Sequence, residues 1–147
     1  RKMQLNITTD YAIRTIFFLC KKGGIISSKE ISEVMKIPED YVLKITRKLS
    51  KKGLVKSYIG KKGGFSANKS ADEINLLDIT QAMENTIKIN RCLEKDKFCS
   101  RSATKDCPIR SFYCRFQDEL ESRLASITVD DLLNKTYNTK EDKAMRL

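Results

Sequence analysis

The stretch that most restricts the fold is "IISSKEISEVMKIPEDYVLKITRKLSKKGLVKSYIGKKGGFSA", residues 25–67, because it carries its own start and stop signals. Ser27 followed three residues later by Glu30 forms a capping box, and Ile26 with Ile31 supplies the accompanying hydrophobic staple. This short helix must end before Pro38, which opens the next one. From there Val42, Ile45 and Leu49 fall on one stripe, while Lys44, Arg47, Lys48, Lys51 and Lys52 lie elsewhere around the same helix.

Two short strands should follow, Leu54–Ile59 and Gly64–Ala67, joined by the tip "GKKGG". Glycine removes side-chain obstruction there, so backbone amides and the Lys61 and Lys62 ammoniums could approach a phosphate. A capped helix, a tight connection, a basic helix and a basic hairpin form a winged helix-turn-helix pattern. The alternative is a small helical bundle with an incidental hairpin.

Charge supports the first reading by its location. Residues 1–70 carry 16 Lys/Arg against 5 Asp/Glu, a net of +11, while residues 71–147 carry 13 against 14, a net of −1. A field confined to one half calls for an anionic partner, nucleic acid first and an acidic membrane surface second. A merely solvated lysine-rich face is the remaining alternative. No apolar run approaches the roughly 18 residues of a membrane span, and the short apolar run near Phe17 lacks a cleavage pattern. With Met3 read as the natural start, a cytoplasmic location is expected.

The flanking segments read as helices. "TDYAIRTIFFLCKKGG" begins one near Thr9 or Asp10, with Ala12, Ile13, Ile16, Phe17 and Cys20 at helical spacing. Asn75 with Asp78 caps a short helix whose Leu76, Leu77, Ile79 and Met83 should pack onto the body. Further on, Phe112, Phe116, Leu120, Leu124 and Ile127 repeat at three or four residues along a long helix. That stripe needs burial, and a two-fold partner, the chain's own N-terminal helix or both would supply it. Thr128 with Asp131 starts a last short helix, and "NTKEDKAMRL" is expected to be a frayed tail. The expected architecture is mainly α with a small β hairpin. Its divisions are a winged domain at 3–86, a cysteine-bearing sensor loop at 87–109, a long C-terminal dimerisation helix with the terminal helix at 110–137, and a flexible tail at 138–147.

Four of the five cysteines lie in one stretch, spaced Cys92-x6-Cys99-x7-Cys107-x6-Cys114, in a chain without histidine. A disulfide framework suits small secreted domains and does not suit this chain. Structural zinc normally uses a close cysteine pair, which is missing. The wide loops suit a larger thiolate-bound object such as an iron–sulfur cluster. Zinc, redox thiols and unliganded cysteines remain open on spacing alone. Cys114 falls inside the long helix and reads as packing, as does Cys20 on the first helix. That leaves Cys92, Cys99 and Cys107 and a fourth ligand to be found.

Taken together, "TDYAIR", the wing "GKKGGF" and three spaced cysteines resemble the bacterial iron–sulfur cluster-binding winged-helix transcriptional regulators of the IscR/NsrR/RirA type. The similarity extends from "MQLNITTDYAIR" through "INLLDITQAMEN" to "ITVDDLL". It implies a homodimeric repressor with a crossed dimerisation helix, reading double-stranded palindromic promoter DNA through its third helix and wing. It also implies a 2Fe-2S or 4Fe-4S cluster on Cys92, Cys99 and Cys107, responding to nitric oxide, redox state or iron supply. In the nitric-oxide sensor the aspartate of "TDY", here Asp10, reaches across from the partner subunit as fourth ligand. The alternative for Asp10 is a helix N-cap. The cluster-biogenesis regulator uses a histidine where this chain has Arg110, which cannot ligate. The cysteine intervals also depart from the x5-x5 pattern of those two sensors toward the x7-x7 spacing of the iron-responsive one.

On this reading Tyr41, Lys44, Arg47 and Lys48 approach the DNA groove, and Ser28, Lys51, Lys61 and Lys62 meet phosphates. The rivals are a cluster-free regulator sensing through thiols or a small ligand, and an iron–sulfur electron carrier, which would leave the basic half unexplained. No acid–base or nucleophile–base arrangement points to an enzyme.

Overall fold

The computed structural model describes residues 3–136, so the expected tail at 138–147 lies outside the described residues. Helix α1, Ile7–Lys22, begins two residues earlier than the sequence suggested. Asn6 is its N-cap, accepting from the Thr8 amide at 3.1 Å. Asp10 therefore sits inside the first turn and is not the cap; it pairs with Arg14 one turn on, at 2.6 Å. The start is fixed from afar: Glu84 Oε1 accepts from the Asn6 amide at 2.9 Å and from the Thr9 hydroxyl at 2.7 Å.

Helix α2, Ser28–Met35, is capped by Ser27, whose hydroxyl accepts from the Glu30 amide at 3.2 Å. The reciprocal half of the expected capping box is replaced by an ion pair, because the Glu30 carboxylate turns to Lys22. Lys36 ends α2 in the left-handed conformation (φ 56°, ψ 48°), and the Ile37 amide donates to Ser32 O at 3.1 Å. This tight turn delivers Pro38 as the N-cap of α3, Glu39–Lys51. Val42, Ile45 and Leu49 are fully buried, as their stripe required.

Strands β1, Val55–Tyr58, and β2, Gly64–Ala67, pair antiparallel with Val55 opposite Ala67 and Tyr58 opposite Gly64. A bridge between Ile26 and Phe65 adds a third edge that ties the wing to the entry of α2. That edge requires Gly64: a Cβ there would lie 2.3 Å from the Ile26 carbonyl oxygen.

A 3-10 turn at Ala71–Glu73 leads into α4, Leu76–Met83, capped by Asn75, which accepts from the Asp78 amide at 2.9 Å. After the cysteine segment, α5 runs from Pro108 to Ser126 and packs against α4 and a 3-10 turn at Arg91–Leu93. The chain then returns. The Leu76 amide donates to Ile127 O at 2.9 Å and the Val129 amide to Ile74 O at 2.8 Å, placing α6, Val129–Asn134, against α1. Val129 is fully buried in the core formed with Ile16, Ile26, Ile45, Leu49 and Ile79. Along the stripe on α5, Leu120, Leu124 and Ile127 are half-buried, whereas among the described residues Phe112 and Phe116 remain 60% and 39% exposed.

Candidate nucleic-acid interface and cysteine site

Helical geometry sorts α3 into two faces. Lys44, Arg47, Lys48 and Lys51 follow at i, i+3, i+4 and i+7, and all are exposed on the side away from the buried stripe. Lys61 and Lys62 are exposed at the wing tip, where the Gly63 amide closes the turn onto Gly60 O at 2.9 Å. Lys56 lies over the Tyr58 ring at 5.4 Å, adding charge to the outer strand. Between α3 and the wing runs a groove of about 500 Å³ lined by Leu43, Arg47, Lys51, Ser57 and Phe65 among others. A protruding basic helix beside a basic hairpin is the shape that places cations on both walls of a duplex groove.

Two expected contacts have intramolecular partners. The Ser28 hydroxyl donates to the Glu39 carboxylate at 2.9 Å, linking the starts of α2 and α3. Tyr41 is half-buried, its ring edge-on to Tyr11 at 5.7 Å between centroids. Both side chains are thus engaged within the chain.

The second site lies at the other end of the chain. Cys92, Cys99 and Cys107 all line one open cavity of about 270 Å³, together with Phe98, Ile109 and Tyr113. Cys114 and Cys20 do not line it. Each of the three sulfurs has an N–H neighbour. Asn90 Nδ2 donates to Cys92 Sγ at 3.1 Å, and the Arg110 amide to Cys107 Sγ at 3.4 Å. Cys107 thereby acts as the N-cap of α5. Backbone N–H groups of Ala103, then Arg101, lower the Cys99 thiol below its ordinary value, whereas burial raises Cys20. At Cys99 these contacts favour the thiolate, the form that ligates a metal. Among the described residues no three Cys, Asp or Glu side chains gather tightly enough for a single metal ion.

Asp10 does not line this cavity; within one chain it faces Arg14. Arg110 does line it, and its Nε donates to Cys92 O at 3.3 Å. The same residue thus holds Cys92 through its side chain and Cys107 through its backbone. Sequence reasoning treated Arg110 only as a non-ligand. It also missed Gln117, a buried residue of α5 whose side chain hydrogen-bonds the backbone of Ile87 and Ile89.

Among the described residues, no helix is long and apolar enough to cross a membrane. The sequence profile of the Rrf2 family, described as iron-dependent transcriptional regulators, matches residues 5–135. An HTH-type transcriptional regulator NsrR of Shouchella clausii is 28% identical over 126 residues, covering 84% of this chain and 79% of its own. The solved structure of CymR, the global cysteine regulator of B. subtilis, is 26% identical with a TM-score of 0.74, over 94% of this chain and 100% of that one. A structure of T. potens IscR shares the fold with a TM-score of 0.71 at 23% identity, over 99% and 93% of the two chains. The relatives are regulators rather than enzymes or electron carriers. The chain belongs to the Rrf2 family of transcriptional regulators.

Proposed function

We propose that this regulator is a homodimeric repressor of palindromic promoter DNA whose operator affinity follows an iron–sulfur cluster, 2Fe-2S or 4Fe-4S, held by Cys92, Cys99 and Cys107. The observation that carries the proposal is the convergence of these three cysteines, and neither of the other two, on one cavity at the root of α5. The chemistry of the donor set suits such a group: three thiols line one cavity, each with an N–H donor beside it. When bound, such a cluster supplies a group whose assembly and loss track iron supply, oxidants or nitric oxide.

The chain's own residues would convert occupancy into DNA affinity. Arg110 ties the Cys92 and Cys107 ends of the loop to α5, and Gln117 ties segment 87–89 to the same helix. The exposed Phe112 and Phe116 supply an apolar face for a second copy. A crossed pair of α5 helices would set the spacing of two winged heads, whose half-sites lie about 34–36 Å apart or a multiple of that. A change of about 1.4 kcal/mol in that fit alters affinity tenfold. Asp10 of a partner subunit is proposed as the fourth ligand, released from Arg14 when it binds. In the DNA complex Lys44, Arg47 and Lys48, with Tyr41, face the groove, while Ser28, Lys51, Lys61 and Lys62 meet phosphates.

Anaerobic purification followed by an absorption spectrum and iron and sulfide analysis tests the cluster. Substituting Asp10 by Ala should shorten cluster lifetime and leave the dimer intact; an unchanged lifetime removes Asp10 from the ligand set. The likeness to the cysteine regulator CymR favours one second reading, a cluster-free sensor whose cavity takes a small ligand or whose thiols are oxidised. A colourless, iron-free protein with full effector response would support that reading instead.

A further inference from the structure

On the exposed side of α3, Leu43 is an aliphatic side chain that neither the core nor phosphate attraction explains. It is 47% exposed, while Val42, Ile45 and Leu49 are fully buried. A single exposed leucine is ordinary on a protein surface. Leu43 differs by its place. It stands one turn before Arg47 and lines, with Arg47, Lys51, Ser57 and Phe65, the groove between α3 and the wing. DNA drawn to the lysines of this face would bring base edges against Leu43. Of the four bases, only thymine presents a methyl group in the major groove.

We propose that Leu43 is a specificity-determining residue that packs against the 5-methyl group of a thymine in each half-site, beside the base or phosphate met by Arg47. This rests on the reading that duplex DNA lies along α3, and it adds a base identity that the lysines do not provide. Lysines meeting phosphates fix register without reading sequence. Leu43 reads one position through apolar contact, and its neighbour Arg47 has the fork geometry for an adjacent guanine.

The test begins with duplexes selected by the full-length protein from a randomised library at low salt. Each thymine of a selected site is then replaced by deoxyuridine, which keeps the pairing and lacks the methyl group. The wild type should lose about fourfold in affinity at one position per half-site, and about 16-fold when both are replaced. L43A should bind the thymine and uridine duplexes equally well, and L43Q, closer in size, should do the same. Equal losses for wild type and both variants, or no sensitive thymine in the wild type, would overturn the assignment while leaving DNA binding intact. Failure to enrich any duplex would instead overturn the DNA reading, and the assignment with it.

Discussion

Gln117 Oε1 accepts a hydrogen bond from the Ile89 amide at 2.9 Å, while its Nε2 donates to Ile87 O at 3.0 Å. A side-chain amide that is 3% exposed thus takes the place of a neighbouring strand and pins segment 87–89 onto α5. Cys92 follows three residues later, so the clamp joins the cysteine site to the helix that carries the exposed Phe112 and Phe116. Q117A should lower stability in urea by about 2 kcal/mol, since two backbone groups lose their buried partner. Amide exchange at Ile89 should accelerate in step. Q117E, which keeps the acceptor and loses the donor, should fall between. Unchanged exchange at Ile89 in Q117A would show that the clamp does not hold the segment.

Lys36 occupies the left-handed region at the turn between α2 and α3, where a side chain is strained. K36G should relieve that strain, partly offset by the greater freedom of glycine in the unfolded chain. A net gain of about 0.5–1 kcal/mol is expected in thermal unfolding, with DNA affinity unchanged. A lower Tm would mean that the lysine makes a contact worth more than the strain.

Gly64 has no such latitude. Its Cβ would collide with the Ile26 carbonyl, the group that anchors the wing to the entry of α2. G64A should cost about 2–3 kcal/mol, roughly 6–10 °C in Tm, and displace the Lys61–Lys62 tip. Binding to any duplex should weaken more than the stability loss explains. Equal losses in both would place the tip outside the interface.

Asp131 makes the attachment of α6 sensitive to acid. Its carboxylate accepts from the Thr128 amide at 2.9 Å and the Thr136 hydroxyl at 2.8 Å, and these bonds hold its pKa below the usual carboxylate range. A folded value below the unfolded one means stability that is complete above the unfolded value. It is lost as pH falls through the folded value. Tm of the wild type should therefore drop more steeply in acid than that of D131N. Parallel curves would assign the acid sensitivity to other groups.

Sequence patterns of short range were read well. The Asn75 cap, the Val42–Ile45–Leu49 stripe and the span of β2 all depend on neighbours within a few residues, where helix and strand periods leave their mark. Features set by distant contacts were not legible. The start of α1 looked like Thr9 or Asp10, but Glu84, far along the chain, fixes the Asn6 amide and the Thr9 hydroxyl instead. Gln117 drew no notice in the sequence because its partners are backbone groups in a segment without periodicity. Glu30 satisfied the pattern of a reciprocal cap, yet a longer-range ion pair to Lys22 won its carboxylate. The three cysteines lining the cavity could be separated from Cys114 by spacing and helix register. The double role of Arg110 required the folded loop.

Whether the cysteine cavity governs DNA binding is decided most directly by one titration. Protein prepared anaerobically, and the same protein stripped of iron, are compared for affinity to a selected duplex, alongside C92A, C99A and C107A. The account predicts iron and sulfide in the wild type, their loss in all three variants, and at least a tenfold difference in affinity between loaded and stripped protein. Iron-free wild type with the same affinity as every variant and the same effector response would contradict it.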